Sequence, residues 1–364
     1  MRIVLISTPI GFLGSGKGGG VELTLNSLVS GLLSLGHSVD VIAPKNSKLF
    51  KSNEKAKLHL VEGEDQISWQ HQDYNSPVII PDNSLLAGML EKGLEITKQA
   101  DVLLNMSYDW LPIWMTINAE IPIAHIISMG SESSVISNLI SKVYAKRPYN
   151  FAFHSKIQAY DYPFIKKPII IGNGFKLDNY IFQDSMDGPL AWVGRVAPEK
   201  GLEDAVYAAN ELGEKLNVWG LIEDEIYASK IEKSFPDGVI NWMGFLANDD
   251  LQKEIGKCRA LINTPKWNEA YGNVIVEALA CGVPVIAYRR GGPSEIIQHG
   301  ETGYLVDPDH KESLVSYVEI IDKIKRKNCR EWVEKNASTD IFANKVLDWL
   351  NEIINEYKKD EYNK

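Results

Sequence analysis

Cysteine is scarce in this chain: three among 364 residues, Cys258, Cys281 and Cys329. Their number is odd and their spacing fits no zinc-ligand pattern, so neither a disulfide framework nor a metal-held fold is expected. Free thiols in a reducing compartment, the cytoplasm, are the reading. Long hydrophobic runs are also missing; nothing approaches the roughly 20 apolar residues that cross a bilayer. Residues 1–12 start like a signal peptide, but their apolar run is short and ends at Pro9 and a glycine-rich stretch, which favours a buried first strand. An excess of positive charge is absent as well. The net charge of −10 argues against a nucleic-acid backbone as partner. Residues 1–168 hold fifteen Lys/Arg and fifteen Asp/Glu, so the acidity lies wholly in residues 169–364. The chain shows no short-period repeat and no low-complexity linker.

What is present is alternation. The length is about twice that of an ordinary domain, and 45% hydrophobic with 24% charged residues is a globular composition. Residues 3–7 read as a strand, 21–35 as a helix with Leu25, Leu28, Val29 and Leu32 on one stripe, and 39–42 as the next strand, making a βαβ unit closed by Gly36. Further strands are expected at 102–105, 123–127 and 151–153. The pattern restarts near Pro168–Gly174, with strands at 190–193, 216–219, 240–243, 260–263 and 284–287 separated by helical stretches. Two doubly wound, Rossmann-like α/β domains facing a cleft are therefore expected, 1–168 and 169–338, with a helix over about 339–364 packing back on the first.

Three segments carry chemistry. In the first, Glu269-Ala270-Tyr271-Gly272-Asn273-Val274 leads into a helix bearing Glu277. Gly272 permits a tight approach of main-chain N–H groups, and the positive helix end suits a diphosphate. Glu277 could accept from ribose hydroxyls and Glu269 could face a sugar, the alternative being a solvated helix position for Glu277 and a loop surface for Glu269. In the second, Gly194, Arg195 and Lys200 follow a strand's carboxyl end, where a fixed guanidinium and a flexible ammonium can neutralise a departing diphosphate. In the third, Gly14 to Glu22 lies between the first strand and helix. Gly11 and Gly16-Lys17 have Walker spacing, but Gly18 stands where Ser or Thr should hold Mg²⁺. A phosphate-approaching loop with Gly19 and Gly20 explains the glycines without ATP hydrolysis.

Taken in order, Gly19-Gly20-Val21-Glu22, Gly36-His37, Asn173-Gly174, Gly194-Arg195, Glu199-Lys200-Gly201, Trp242-Met243-Gly244, the Glu269/Glu277 segment, Gly291-Gly292 and Gly300-Glu301-Thr302-Gly303 resemble glycosyltransferase family four, the retaining GT-B enzymes. The resemblance covers most of the chain. It implies transfer of a sugar from a nucleotide diphosphate donor to an acceptor hydroxyl, with retention, no metal and no further cofactor. It makes the first domain the acceptor side and the second the nucleotide-sugar side, with Arg195, Lys200 and Glu269 catalytic. Gly19, Gly20, Gly194, Met243, residues 270–274 and Glu277 would bind donor, Met243 by bordering the base.

The acceptor side departs from the family pattern. A histidine expected after the strand 123–127 is replaced by Ser128, with His125 inside the strand as either a site or a core residue. Asp109 could bind an acceptor hydroxyl or cap a helix. The acceptor class stays open among saccharide, lipid-linked and small-molecule types. Lys142, Lys146 and Arg147 beside Val143 and Tyr144 raise a weak peripheral membrane contact, with a solvated helix face as the alternative. Rival functions are a nucleotide-sugar epimerase, a sugar phosphorylase, or a non-catalytic nucleotide-sugar-binding protein. An oxidoreductase is disfavoured by the lack of a clean G-x-G-x-x-G in the first βα loop.

Overall fold

The computed structural model describes residues 1–15 and 19–362. The chain forms two units, one of Met1–Gly174 with Thr339–Lys364 and one of Phe175–Ser338.

In the first unit the strands are β1 (Arg2–Ile6), β2 (Ser38–Pro44), β3 (Lys57–Val61), β4 (Val102–Asn105), β5 (Ile123–Ile127), β6 (Phe151–Phe153) and β7 (Ile169–Ile170). They form a parallel sheet of order β3-β2-β1-β4-β5-β6-β7. β1, β4, β5 and β6 read as near-continuous apolar runs because helices cover both faces. β3 escapes the sequence reading: Lys57-Leu-His-Leu-Val is a half-exposed edge strand, and its His59 Nε2 lies 2.8 Å from Asp40. The sequence pattern assigns Ile169–Ile170 to the opening of the second domain. Instead it pairs with β6 as the outer strand of the first sheet, and the chain leaves this unit only after Gly174.

The helix Thr339–Tyr362 belongs to this same unit. Phe342, Val346, Leu350 and Ile353 are buried with Leu25, Leu28, Val29 and Leu32 of the helix Gly19–Ser34. The two helices cross where Gly31 offers no side chain; a Cβ there would lie 2.6 Å from that of Ala343.

The second unit repeats the architecture with β8 (Leu190–Val193), β9 (Leu216–Trp219), β10 (Ile240–Gly244), β11 (Ala260–Asn263), β12 (Val285–Tyr288) and β13 (Gly303–Val306), in the order β10-β9-β8-β11-β12-β13. All registered pairs are parallel. Its core is separate, built on Trp192, Trp219, Ile262, Leu279 and Ile286. Among the described residues no helix is long and apolar enough to cross a membrane.

Leu350→Ala removes a fully buried side chain from the first unit's core. It is expected to cost about 2–5 kcal/mol in denaturant unfolding, whereas Asp348→Ala on the exposed face of the same helix should stay within about 0.5 kcal/mol.

Candidate functional site

The strand order fixes where a ligand can enter the second unit. Connections from β8 run one way to β9 and β10, and those from β11 run the other way to β12 and β13. The loops leaving the carboxyl ends of β8 and β11 therefore part and leave a crevice. Arg195 and Lys200 follow β8, and Glu269 follows β11.

The two loops are seated on one another by backbone contacts that only glycine allows. Gly201 adopts φ +64°, and a Cβ there would lie 2.1 Å from the Thr264 carbonyl oxygen. Thr264 Oγ1 donates to the Gly201 carbonyl at 2.7 Å, and the Lys266 N–H to that of Glu199 at 2.8 Å. On the far side Gly292 takes the same role: its N–H donates to the Glu269 carbonyl at 2.7 Å, and a Cβ would lie 2.0 Å from the Tyr271 oxygen. The turn Pro198–Lys200 and the loop carrying Glu269 are thus held in fixed register.

At their meeting point Lys200 Nζ pairs with Glu269 Oε1, both side chains mostly buried. Trp267 Nε1 donates to the same oxygen at 3.0 Å, and the Lys200 ammonium stands 4.8 Å from the centre of the indole. Burial alone pushes the Glu269 carboxyl up. The charge of Lys200, hydrogen bonds from Lys200 and Trp267, and the nearby charge of Arg195 outweigh it and hold the group below its ordinary range. Arg195 pairs with Glu199 at 3.0 Å and with Glu223. Behind them Lys266 pairs with Asp204, which also accepts from Tyr288 Oη at 2.8 Å.

Gly272, at φ +104°, is the N-cap of the helix Asn273–Ala280, with Tyr271 and Val274 packed partly on the core. One turn in, Glu277 is buried and accepts from Asn248 Nδ2 and, at 3.4 Å, from Tyr180 Oη. Burial drives its carboxyl above the ordinary range despite those two donors. Met243, next to last in β10, has 44% of its surface open, and Phe245 just past the strand is similarly exposed.

In the first unit Gly19 and Gly20 open the helix Gly19–Ser34, and the Gly14 N–H donates to the Glu22 carboxylate at 2.6 Å. Gly16, Lys17 and Gly18 lie outside the described residues. Asp109 caps the helix Trp110–Met115 by accepting from the Trp110 N–H at 2.7 Å, and it also accepts from Gln66 Nε2. Burial lifts its carboxyl to about 7, against the lowering effect of the Trp110 N–H. Gln66 lines a small pocket with Asp65, Ile67, Trp69 and Val78. His125 is a core residue. Its ring is fully buried, stacked on Phe151, with Nδ1 3.1 Å from Asn105 Nδ2 and Nε2 2.6 Å from Thr116 Oγ1. Burial drops its pKa to about 3, which keeps it neutral. Ser128, just past β5, is half-buried. Val143 is buried, and Tyr144, partly exposed, packs on Phe151 and Phe164 near the exposed Lys142.

Sequence reasoning missed Trp267, Asn248 and Tyr180. Trp267 stands two residues from Glu269 and could have been flagged as an aromatic beside a charged pair. Asn248 and Tyr180 lie 29 and 97 positions from Glu277 and carry no local signal.

Residues 183–340 match the family model described as glycosyl transferases group 1. Sucrose synthase 2 of Tulipa gesneriana is 32% identical over 157 residues, covering 38% of this chain and 19% of that protein. A sucrose synthase of Solanum tuberosum is 39% identical over 80 residues, covering 21% of this chain and 10% of that protein. The chain thus spans about a fifth or less of the length of these relatives. Across the whole chain the fold is similar to HepE of Anabaena, solved with UDP and glucose (TM-score 0.74, 17% identity, 96% of this chain and 99% of that one). It is similar also to sucrose-phosphate synthase from Thermosynechococcus elongatus (TM-score 0.74, 18% identity, 98% and 100%). The fold is that of GT-B glycosyltransferases, with two Rossmann-like units.

Asp109 yields a prediction with a definite sign. Between pH 3.8, its ordinary value, and about 7, the folded chain keeps a proton that the unfolded chain has released. Stability therefore falls as pH rises through that window and is level above it, a difference of at most about 4 kcal/mol. Asp109→Asn keeps a capping side chain. It is expected to be more stable than the parent at pH 8, with the gain vanishing near pH 4, in urea unfolding at the two pH values.

Proposed function

We propose, proceeding from the glycosyl transferases group 1 match over residues 183–340, that this protein moves a hexose from a nucleoside diphosphate sugar to an acceptor hydroxyl, with retention and without a metal ion. The observation that carries the reading is the Lys200–Glu269 ion pair at the strand-order reversal of that domain, with Arg195 close enough for its charge to help hold the Glu269 carboxyl low. HepE was solved in complex with UDP-glucose, so UDP-glucose is the first donor to try.

In this reading the diphosphate lies at the start of the helix Asn273–Ala280, where main-chain groups of 270–274 and the helix dipole favour negative charge. Gly194 lets the β8 loop approach it closely. The bond between the anomeric carbon and the diphosphate oxygen breaks, and Arg195 and Lys200 stabilise the charge gathering on the leaving phosphate, the part a divalent cation would otherwise play. The acceptor oxygen bonds to the anomeric carbon from the same face, and its proton passes to the leaving phosphate. Glu269, ionised at neutral pH, faces the sugar as its positive charge develops.

Glu277, as a carboxylate, accepts from the two ribose hydroxyls. Its raised pKa makes that grip weaken as pH falls through the elevated value. Met243 and Phe245 offer exposed apolar surface for the base. Residues 1–174 are assigned to the acceptor, with Asp109 and Ser128 as the polar groups nearest to that role, and the compartment is the cytoplasm.

Turnover of UDP-glucose with a panel of acceptors tests the reading. Lys200→Ala is expected to lower kcat by about 10²–10³-fold. Glu277→Ala should raise the Kd for UDP-glucose by about tenfold, and chelation by EDTA should leave both quantities unchanged. Donor conversion without acceptor, or a requirement for inorganic phosphate, would instead identify an epimerase or a phosphorylase.

A further inference from the structure

We infer that Trp267 is a positioning residue that allows Lys200 to exchange Glu269 for a phosphate, an inference that rests on the reading of Lys200 as a diphosphate-binding cation. The indole touches both members of the ion pair through chemically different parts. Its π face lies under the Lys200 ammonium at 4.8 Å, and its Nε1–H donates to Glu269 Oε1 at 3.0 Å. That oxygen is the one Lys200 itself holds. The cation is thus attracted by the ring's quadrupole and the anion by the N–H dipole.

The arrangement matters at the moment an anion arrives. Lys200 cannot neutralise a diphosphate while fully committed to Glu269. Nor can it simply leave, because the Glu269 side chain is only 17% exposed and would become a buried anion short of a donor. The indole N–H stays behind as that donor. The ring face gives the ammonium a second, uncharged contact, so a shift toward phosphate that keeps the ring gives up one of two attractions and not its only one. No covalent bond changes; the event is an exchange of hydrogen-bond partners.

The loop is braced for this task. Beside Trp267, the Lys266 N–H is held by the Glu199 carbonyl and Lys266 Nζ by Asp204. Two residues earlier the Pro265 carbonyl accepts from Arg290 Nη1 at 3.2 Å. Beyond it, Glu269 bridges to Gly291 in parallel fashion. The indole therefore keeps its place when the flexible lysine moves.

Two variants separate the two contacts. Trp267→Phe keeps an aromatic face and loses the N–H; Trp267→Leu loses both. Calorimetric binding of UDP and the pH profile of kcat/KM for UDP-glucose are the readouts. For Trp267→Phe, the Kd of UDP should rise by about tenfold, the worth of a hydrogen bond to a charged group. The acid limb of the profile should move to higher pH, because Glu269 has lost a donor that holds its pKa down. For Trp267→Leu, kcat should fall in addition, by about tenfold or less, the range of a cation–π contact. Variants that match the parent in UDP affinity and acid limb, or that match each other in every readout, overturn the inference alone. A parent protein that binds neither UDP nor ADP overturns the phosphate reading of Lys200 and this inference with it.

Discussion

The register between the turn at Pro198–Lys200 and the loop at 264–269 is the constraint on which the second unit's chemistry depends. An ammonium and a carboxylate removed from water each lose solvation, and their mutual attraction repays that loss only in well-supplied geometry. Here the supply is visible: the carboxylate has two donors, the ammonium has an aromatic face as well as its counter-ion, and the backbone on both sides is fastened by carbonyl contacts at Gly201 and Gly292. Loosening any of these would let the pair drift apart or open to water, and the depressed pKa of Glu269 would relax with it.

The same physics gives the two glutamates of the segment different electrical characters. Glu269 is buried beside cations and stays ionised, whereas Glu277 is buried beside neutral donors and holds its proton more tightly. Close together in one loop and helix, they are set to opposite sides of the ordinary carboxylate value by their neighbours alone.

The doubly wound architecture was legible because alternation of apolar strands with striped helices is a local property, seen at residues 3–42 and again at 190–287. The helix after Ser338 shares the first unit's core, where its Val346, Leu350 and Ile353 are buried with Leu25, Leu28 and Leu32. What local pattern could not show was β3, whose half-exposed edge position removes the hydrophobic signal, and the side to which Ile169–Ile170 belongs, since two residues have no periodicity. In the site, glycines announced Gly194, Gly201 and Gly272 because a missing side chain marks close backbone approach. Trp267, Tyr180 and Asn248 have no such mark, and their roles exist only after strands far apart in sequence are laid side by side.

The helix Thr339–Tyr362 seals a core whose other walls come from residues before 175. On the ribosome those walls emerge first and must wait, with Leu25, Leu28 and Leu32 uncovered, while the whole of the intervening unit, Phe175–Ser338, is made. That second unit, continuous in sequence, has all its own parts as soon as it leaves the tunnel. Order of synthesis and order of completion are thus reversed in this chain, and its vulnerable species during translation is an unfinished amino-terminal half that chaperones would meet with its hydrophobic seam open.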